Sequence, residues 1–492
     1  MDSVAAADIS TATTTTLHQN GNGGATHIHA VLFPFMSKGH TIPLLHLARL
    51  LLRRQISVTI FTTPANRPFI SSALPDDSAS ILELPFPHEI PGIPAGVEST
   101  DKLPSMSLFP QFALSTEKYL RPQFDSALQN LNPRPTFMVS DGFLWWTQDT
   151  AEKFGIPRLT FYGMSNHAAS VSRAVAIDRL LLGPESEDEL ITVTQLPWMK
   201  VCKNDFHEDS RSPEPKGVNA EFIWKSVMAS SRSFGYVMNS FYELESVFVD
   251  YLNGLGSQKH HCVGPLCLAD DENDAVGNNK DENPWMSWLD KKLEEGKSVL
   301  YVAFGSQAEI SREQLEEIAR GLEDSEANYL WVIRKDAEVV RGVGNNKDHR
   351  RRGMVIGDWV NQMEILGHKS VKGFMSHCGW NSVMESVCAG VPMVAWPMMA
   401  EQPLNARMVA EEIKVGIRVE GSGRNGRLVK KGAVEEAVRE LMAGEKGKEV
   451  RKNVEAFAEK AIKSMEKGSG SSWRTLDGLV RELWSYKAIA EK

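Results

Sequence analysis

The sequence predicts an α/β protein made of two doubly wound, Rossmann-like domains joined by a linker, and three observations support this fold class. Apolar, strand-like runs alternate with amphipathic helical patterns through most of the chain, which is typical of parallel sheets covered by helices. The chain has 492 residues, more than one hydrophobic core usually serves. Around residues 261–283 the composition changes from apolar to acidic, Asn-rich and Gly-rich. The alternation restarts afterwards, which indicates a linker.

The first half of the chain begins with a βαβ unit. A strand is predicted over residues 27–35, a helix over residues 41–54 and a second strand over residues 56–63. Thr41 is the predicted N-cap of that helix, and Pro43 is tolerated in its first turn. Further strands are predicted over residues 136–141, 158–163 and 236–240.

The second half repeats the alternation of strand and helix after the predicted linker. Strands are predicted over residues 298–306, 329–334, 353–359, 371–377 and 391–397. A Gly- and Ser-rich break near residue 470 then precedes an amphipathic helix at the end of the chain.

These patterns place the domain limits. A lead-in rich in Thr, Ala, Asn and Gly occupies residues 1–26 and is expected to be disordered. We expect an N-terminal domain over residues 27–262, a linker over residues 263–284, a C-terminal domain over residues 285–470 and a final helix over residues 471–492.

Composition and charge exclude several classes of protein. The formal net charge of −9 and the lack of long like-charge blocks argue against a nucleic-acid binder, which usually shows a basic face. Five scattered cysteines without a C-x-x-C pair predict no disulfide framework and no zinc site, and they favour a reducing, cytoplasmic location. Neither a signal peptide nor an apolar run of the ~18 residues that a membrane helix needs is present, so we expect a soluble protein without membrane insertion. Strand-to-helix loops lack G-x-G-x-x-G and Walker-type sequences, which disfavours nicotinamide-cofactor and P-loop functions.

The stretch from His377 to Gly390, HCGWNSVMESVCAG, lies in a predicted strand-to-helix loop, where open parallel sheets bind ligands. The free N–H groups and the dipole of a helix N-terminus favour phosphate there, and Gly379 lets the backbone come close. The same residues also have a structural interpretation, because Ser382 and Glu385 stand at capping-box spacing. From this stretch alone, a helix cap and a diphosphate site both remain open.

Residues 359–402 carry a longer pattern with many fixed spacings: W-x-x-Q, then H-C-G-W-N-S-x-x-E, then G-V-P, then W-P-x-x-x-E-Q. This segment closely resembles the signature box of plant UDP-dependent glycosyltransferases, glycosyltransferase family one. YVMNSFYELE, WLDKKLEEGKSVLYVAFGS and YLWVIRK also resemble family segments, in family order. The resemblance implies a GT-B fold, in which two Rossmann-like domains face a cleft and the C-terminal helix returns to the N-terminal domain. It also implies UDP-glucose as a co-substrate, without a bound cofactor or a metal.

The resemblance implies a role for each residue of the box. Trp359 would stack on uracil, while the Val360 backbone and Gln362 meet the uracil edge. Glu385 would accept hydrogen bonds from both ribose hydroxyls. The remaining residues would hold the diphosphate (Ser306, His377, Asn381 and Ser382), line the donor-sugar pocket (Trp380) and contact the sugar hydroxyls (Glu401 and Gln402). In this family a closing glutamine is usually associated with glucose, so Gln402 favours UDP-glucose.

His40 and Asp141 are the predicted catalytic pair. His40 lies between the first predicted strand and helix, where a helix N-terminus disfavours the protonated form, so we expect a neutral imidazole that accepts a proton. Asp141 ends a predicted strand, and a carboxylate there can fix the tautomer of a histidine. The family's general base and catalytic aspartate stand at the same two motifs, so the resemblance implies these roles. Asp149 is expected inside a helix, with a structural role.

We therefore expect an inverting, UDP-glucose-dependent glucosyltransferase that acts by single displacement on a hydroxyl of a small lipophilic acceptor, a flavonoid or another phenolic. A terpenoid or hormone O-glucosyltransferase, a flavonoid C-glucosyltransferase, a UDP-sugar epimerase and a non-catalytic nucleotide-sugar binding protein remain alternatives. A monomer is expected. The acceptor cleft is predicted to be lined by N-domain loops, and each aromatic or apolar candidate on them could equally belong to the core: Phe109, Phe112, Phe143, Trp145 and Met164.

Overall fold

The computed structural model describes residues 27–74, 78–269, 283–305, 307–342, 352–423 and 427–490. The predicted lead-in, residues 270–282 of the predicted linker, and Ser306 lie outside the described residues. Two parallel sheets, one in each half of the chain, organise the described part.

The first sheet has seven strands in the order β3-β2-β1-β4-β5-β8-β9, all parallel. Their bounds are β1 His29–Phe33, β2 Ser57–Thr62, β3 Ser80–Glu83, β4 Phe137–Asp141, β5 Arg158–Tyr162, β8 Gly235–Met238 and β9 Lys259–Cys262. A separate antiparallel hairpin consists of β6 Ile191–Val193 and β7 Leu196–Val201. β1 and β4 are buried along their whole length, as central strands of a helix-covered sheet are. From β1 the chain adds β2 and β3 on one side of the sheet and then β4 and β5 on the other side. Open parallel sheets bind ligands at such a switch point, beyond the carboxyl ends of the two strands.

The second sheet has six parallel strands in the order β12-β11-β10-β13-β14-β15. Their bounds are β10 Val299–Ala303, β11 Asn328–Val332, β12 Gly353–Ile356, β13 Val371–Ser376, β14 Met393–Ala395 and β15 Gly416–Arg418. The chain adds β11 and β12 on one side of β10 and β13 on its other side, so the switch point of this sheet lies between β10 and β13. The loop that follows β13 carries the signature-box histidine, so the box lies at the expected ligand edge of this sheet.

Helices cover both sheets, and their bounds are α1 Lys38–Leu52, α2 Arg67–Ala73, α3 Phe109–Asn130, α4 Thr147–Phe154, α5 Asn166–Ile177, α6 Val218–Ser230, α7 Tyr242–Leu255, α8 Pro284–Glu294, α9 Arg312–Asp324, α10 Ala337–Gly342, α11 Gln362–Leu366, α12 Trp380–Cys388, α13 Gln402–Arg407, α14 Lys431–Ala443, α15 Glu445–Met465 and α16 Ser471–Ala490. Within the described ranges, no helix is long and apolar enough to cross a membrane.

The C-terminal helix α16 returns to the first sheet. Leu476, Leu479 and Leu483 are buried in the same apolar cluster as the strands and helices of the N-terminal half. Arg54, just after α1, stacks on Trp473 at 3.8 Å and pairs with an aspartate of α16. The two doubly wound sheets and this returning helix confirm the predicted fold class.

Two local expectations are wrong. Helix α1 begins at Lys38, with Ser37 as the N-cap residue, so His40 lies inside its first turn rather than before it. Thr41 is not the cap; its hydroxyl donates to the Phe35 carbonyl, 3.2 Å away. The predicted linker also starts too early, because Val263, Leu266 and Ala269 are still buried in the core of the first domain. The other domain limits stay predictions.

Candidate active site

His40 and Asp141 meet at the carboxyl edge of the first sheet. His40 stands on the first turn of α1, and Asp141 is the last residue of the neighbouring strand β4. The His40 Nδ1 and Asp141 Oδ2 atoms lie 2.6 Å apart. The carboxylate is fully buried, whereas 20% of the imidazole side chain stays exposed. With Nδ1 engaged by the carboxylate, Nε2 is the ring nitrogen left for an acceptor hydroxyl.

The electrostatics of His40 differ from the sequence prediction. Burial lowers the pKa of His40, but the charge and hydrogen bond of Asp141, together with the charge of Glu401, raise it above the usual 6.5. The sequence predicted that the helix N-terminus would favour a neutral imidazole. This prediction is wrong, because two carboxylates distant in sequence raise the His40 pKa. A base whose protonated form is stabilised has more driving force to take a proton.

The turn after β4 fixes the Asp141 carboxylate. Its Oδ1 accepts a hydrogen bond from the Phe143 backbone N–H at 2.9 Å. A Cβ at Gly142 would lie 2.2 Å from the Tyr162 ring, so only glycine fits there without displacement. Asp149 lies inside α4, as predicted, and pairs with Arg121 and Arg232 rather than with the site.

Aromatic rings surround His40. The Phe143 ring centroid lies 4.8 Å from that of His40. Phe222 of α6 contacts Phe143 at 5.1 Å and Phe109 at 5.3 Å, and no sequence motif marked it in advance. Among the predicted acceptor residues, Phe109, Phe143 and Met164 are partly exposed, whereas Phe112 and Trp145 are core.

Across the cleft, helix α12 presents an N-terminus without a side-chain cap. Its N-cap is Gly379, which makes no side-chain cap bond. Ser382 is the third residue inside the helix, and its hydroxyl accepts a hydrogen bond from Gln362 at 3.0 Å. The capping-box interpretation is therefore wrong, because the Ser-x-x-Glu spacing falls inside the helix rather than at its cap. An uncapped helix start leaves backbone N–H groups for an anion.

His377 is held between two glycines just before α12. A Cβ at Gly305 or at Gly379 would lie 2.8 Å or 2.5 Å from the His377 Nε2 atom. Burial lowers the pKa of His377 to about 4, so the ring is neutral at pH 7. Its buried Nδ1 has no hydrogen-bond partner among the described residues. A neutral imidazole with an unpaired nitrogen is suited to a hydrogen bond with a ligand.

Gln362 and Glu385, assigned by resemblance to different parts of the donor, are in direct contact. Gln362 Nε2 donates to Glu385 Oε2 at 2.5 Å, while the Tyr301 hydroxyl donates to Gln362 Oε1 at 3.2 Å. Burial raises the pKa of Glu385 to about 7, although the Gln362 hydrogen bond opposes the rise. The Glu385 carboxyl is therefore close to half-protonated at neutral pH.

The indole of Trp359 is half-exposed. It is 51% exposed, and the Lys38 ammonium from the other half of the chain lies 4.5 Å from its ring centroid. Val360 beside it is buried at 8% exposure, so only its backbone is a candidate for base contact.

Trp380 and Asn381 connect the two halves. The expectation that Trp380 lines the sugar pocket is wrong for its side chain: the indole is 1% exposed and donates to the Asn239 carbonyl at 2.8 Å. Asn381 Nδ2 donates to the Gly39 carbonyl at 2.6 Å, and Asn381 Oδ1 accepts from Asn239 Nδ2 at 3.2 Å. Asn239 was not a predicted site residue. Asn381 thus touches the residue that precedes His40.

The last residues of the box have structural bonds of their own. Gln402 Oε1 accepts from the Met398 and Met399 backbone N–H groups, both at 3.0 Å, which leaves its NH₂ group for a ligand. Glu401 accepts from Asn405 at 3.3 Å, and burial raises the pKa of Glu401. In the described part of the chain, no group of three or more His, Cys, Asp or Glu side chains could hold a metal ion.

A GT-B-type cleft with a His–Asp pair on one wall and an uncapped helix start on the other is typical of a nucleotide-sugar-dependent transferase. Residues 272–457 match the family model for UDP-glucoronosyl and UDP-glucosyl transferases. The chain is 53% identical over 467 residues to UDP-glycosyltransferase 90A1 of Arabidopsis thaliana, covering 93% of this chain and 96% of the relative. This chain therefore belongs to the plant UDP-glycosyltransferases of glycosyltransferase family one, and it is a glycosyltransferase.

Two more relatives carry information about acceptors. The chain is 34% identical over 484 residues to the anthocyanin 3'-O-beta-glucosyltransferase of Gentiana triflora, with 93% of this chain and 99% of the relative covered. Its fold is similar to that of UGT73P12 of Glycyrrhiza uralensis, solved with glycyrrhetinic acid 3-O-monoglucuronide, with a TM-score of 0.83 and 30% identity. That match covers 94% of this chain and 97% of the solved one.

Proposed function

We propose that this enzyme transfers glucose from UDP-glucose, with inversion, to a hydroxyl of a small lipophilic acceptor, most specifically a flavonoid or another phenolic. The observation that carries the proposal is the His40–Asp141 pair, with its 2.6 Å contact, facing the uncapped start of α12. Asn381 joins the two walls by its bond to Gly39. A base and a diphosphate-binding helix end on opposite sides of one cleft are what a direct displacement needs.

The reaction is a single displacement. His40 Nε2 removes the proton of the acceptor hydroxyl as the oxygen attacks the anomeric carbon, and the bond from that carbon to UDP breaks. The proton stays on the imidazole, which Asp141 stabilises, and the electron pair leaves with UDP. The N–H groups at the start of α12 stabilise the charge that develops on the diphosphate. Attack opposite to the leaving group converts an α-linked donor into a β-glucoside.

The donor is proposed to lie along the signature box. Trp359 stacks on uracil, with the Val360 backbone and Gln362 at the uracil edge. Glu385 accepts hydrogen bonds from ribose. Ser306, His377, Asn381 and Ser382 hold the diphosphate, the Trp380 backbone at the helix start lies beside it, and Glu401 and Gln402 contact the sugar. The Gln402 NH₂ group takes no part in the hydrogen bonds that Gln402 Oε1 accepts and can donate to sugar hydroxyls, which supports glucose as the sugar.

The acceptor class is argued from the rings beside His40. Phe109 and Phe143 present partly exposed aromatic surface next to the base, and a planar phenol can pack against such surface. The anthocyanin-acting relative supports this class. A terpenoid acceptor is the second candidate, because the structurally similar relative was solved with a glycyrrhetinic acid derivative. All five cysteines are free, which supports the proposal of a cytoplasmic enzyme; we also propose a monomer.

The test is an acceptor screen with UDP-glucose, read by mass spectrometry, with NMR of the product to separate O- from C-linkage and β- from α-configuration. His40→Ala should lower transfer by about 10²–10⁴-fold while UDP affinity, measured by calorimetry, stays within about twofold. His207→Ala, at a 60% exposed histidine, is the control and should keep activity. Transfer by His40→Ala at the wild-type rate would refute the assignment. Donor binding without turnover would instead indicate a binding protein, and donor consumption without an acceptor an epimerase.

A further inference from the structure

A buried arginine lies directly behind the catalytic aspartate. Arg158 is the first residue of β5, the strand beside β4, and its side chain is 1% exposed. Its Nη2 donates to the Asp141 carbonyl at 3.3 Å. The other guanidinium hydrogen bonds go to hydroxyls, Nε to Ser140 at 2.6 Å and to Thr147 at 2.9 Å, and Nη1 to Thr160 at 2.7 Å. These contacts fix the guanidinium in one orientation.

The guanidinium has no ion-pair partner at contact distance. No carboxylate of the described residues lies within ion-pair distance of it, and the four acceptors of its hydrogen bonds are neutral oxygens. A buried cation without a counter-charge is costly, so a negative charge nearby is needed. Burial lowers the pKa of Arg158 to about 10, which still leaves it charged at pH 7.

The charged and titratable groups around Arg158 leave one candidate counter-ion. Tyr162 and Tyr236 face it from β5 and β8, but burial raises the pKa of both, so they are neutral at pH 7. Arg232 is a second cation and adds repulsion. Asp141 is the one carboxylate that interacts with Arg158 in this group, and it also holds His40. Glu401 adds a second negative charge that acts on His40.

We propose that Arg158 is a positioning residue that, from behind Asp141, sets the pH range in which His40 acts as the base. This inference rests on the proposed role of His40 in the transfer reaction. The cation opposes proton uptake by the His40–Asp141 pair, which counters the two carboxylates around the imidazole. Its hydroxyl partners on β4, α4 and β5 hold that charge at a fixed place behind the pair.

The test compares Arg158→Gln, which can still hydrogen-bond but is neutral, with Arg158→Lys, which keeps the charge. In Arg158→Gln the acid limb of the kcat/KM profile should move to higher pH, by on the order of one pH unit, because a repelling cation is gone. In Arg158→Lys the limb should stay in place even if kcat falls. The titration of the His40 Cε1–H resonance, assigned by its loss in His40→Ala, should shift in parallel. Arg232→Met, which removes a cation that is 48% exposed, should leave the limb in place.

Thermal melting of single and double variants tests the same interaction when Arg158→Gln folds poorly. Asp141→Asn should melt below wild type because Arg158 loses its counter-ion, and Asp141→Asn/Arg158→Gln should recover part of that loss. An Asp141→Asn protein that melts as wild type, or an unshifted His40 titration in a folded Arg158→Gln, would overturn the inference. Neither outcome bears on whether His40→Ala abolishes transfer, so the proposed function is tested separately.

Discussion

A buried ion pair between the two halves of the chain allows a quantitative prediction. Asp205, in a short turn after β7, has a 1% exposed side chain and bonds Arg407 of α13 at 2.7 Å. Arg418 lies 3.7 Å from the Asp205 Oδ1 atom, whereas the Cys202 N–H donates to Asp205 Oδ2 at 2.8 Å. Helix α13 begins at Gln402, so this pair anchors the helix that carries the end of the signature box.

The change Asp205→Asn keeps the shape of the side chain and removes its charge. Breaking a buried pair costs about 3–5 kcal/mol because the remaining charge stays buried. Arg407 keeps its 3.0 Å bond to the half-exposed Glu411, which favours the low end, about 3 kcal/mol. For a domain of about 150–250 residues, 1 kcal/mol corresponds to roughly 2–4 °C, so the melting temperature should fall by about 6–12 °C.

The assay is calorimetric melting of the full chain. Asp178→Asn, at an exposed aspartate of the same half, is the control and should melt within about 1 °C of wild type. Adding Arg407→Met to Asp205→Asn should recover part of the loss, because no buried charge then lacks a partner. A melting temperature for Asp205→Asn within about 2 °C of wild type would refute the expected cost of breaking this buried pair.

Two further predictions concern the site itself. Because the pKa of Glu385 is about 7, the KM for UDP-glucose should rise about threefold or more as protonation removes an acceptor below neutral pH. Glu385→Gln should show a raised donor KM that no longer varies with pH. Steady-state kinetics at varied donor, with the acceptor KM as the internal control, would detect this, and a pH-independent wild-type donor KM would contradict it. Gly142→Ala should lower kcat by about tenfold or more, because its methyl group would meet the Tyr162 ring at 2.2 Å and displace the Asp141 turn. Gly254→Ala, where nothing lies within 4 Å, is the matched control; equal rates for both variants would show that the turn can relax.

The sequence allowed the architecture and the location of the site to be predicted, for identifiable reasons. Alternating strand and helix patterns require parallel sheets, and parallel sheets place chemistry at the carboxyl ends of strands. Asp141 at the end of β4 and His377 after β13 follow from that rule alone. Their roles needed the family pattern as well, because an acidic residue at a strand end is not by itself catalytic.

What the sequence could not supply depends on contacts between distant segments. The pKa of His40 is raised by carboxylates 101 and 361 positions away, and no local rule includes them. The capping-box pattern at Ser382 failed because spacing does not reveal which residue occupies the N-cap. Trp380, at the first position of α12, could face cleft or core, and only packing decides between them.

The Asn381 amide connects the two walls of the cleft by hydrogen bonds. Its Nδ2 group bonds the Gly39 carbonyl at 2.6 Å, and the next residue in the chain is His40. An NH₂ group has two hydrogens, so the same amide can bond the Gly39 carbonyl and a diphosphate oxygen together. Asn239, buried between the sheets, orients Asn381 from behind and accepts the Trp380 indole N–H. In the proposed assignment, a donor diphosphate bound at the start of α12 contacts the same amide that holds Gly39, the neighbour of His40. Donor binding and the alignment of the base are therefore not independent steps.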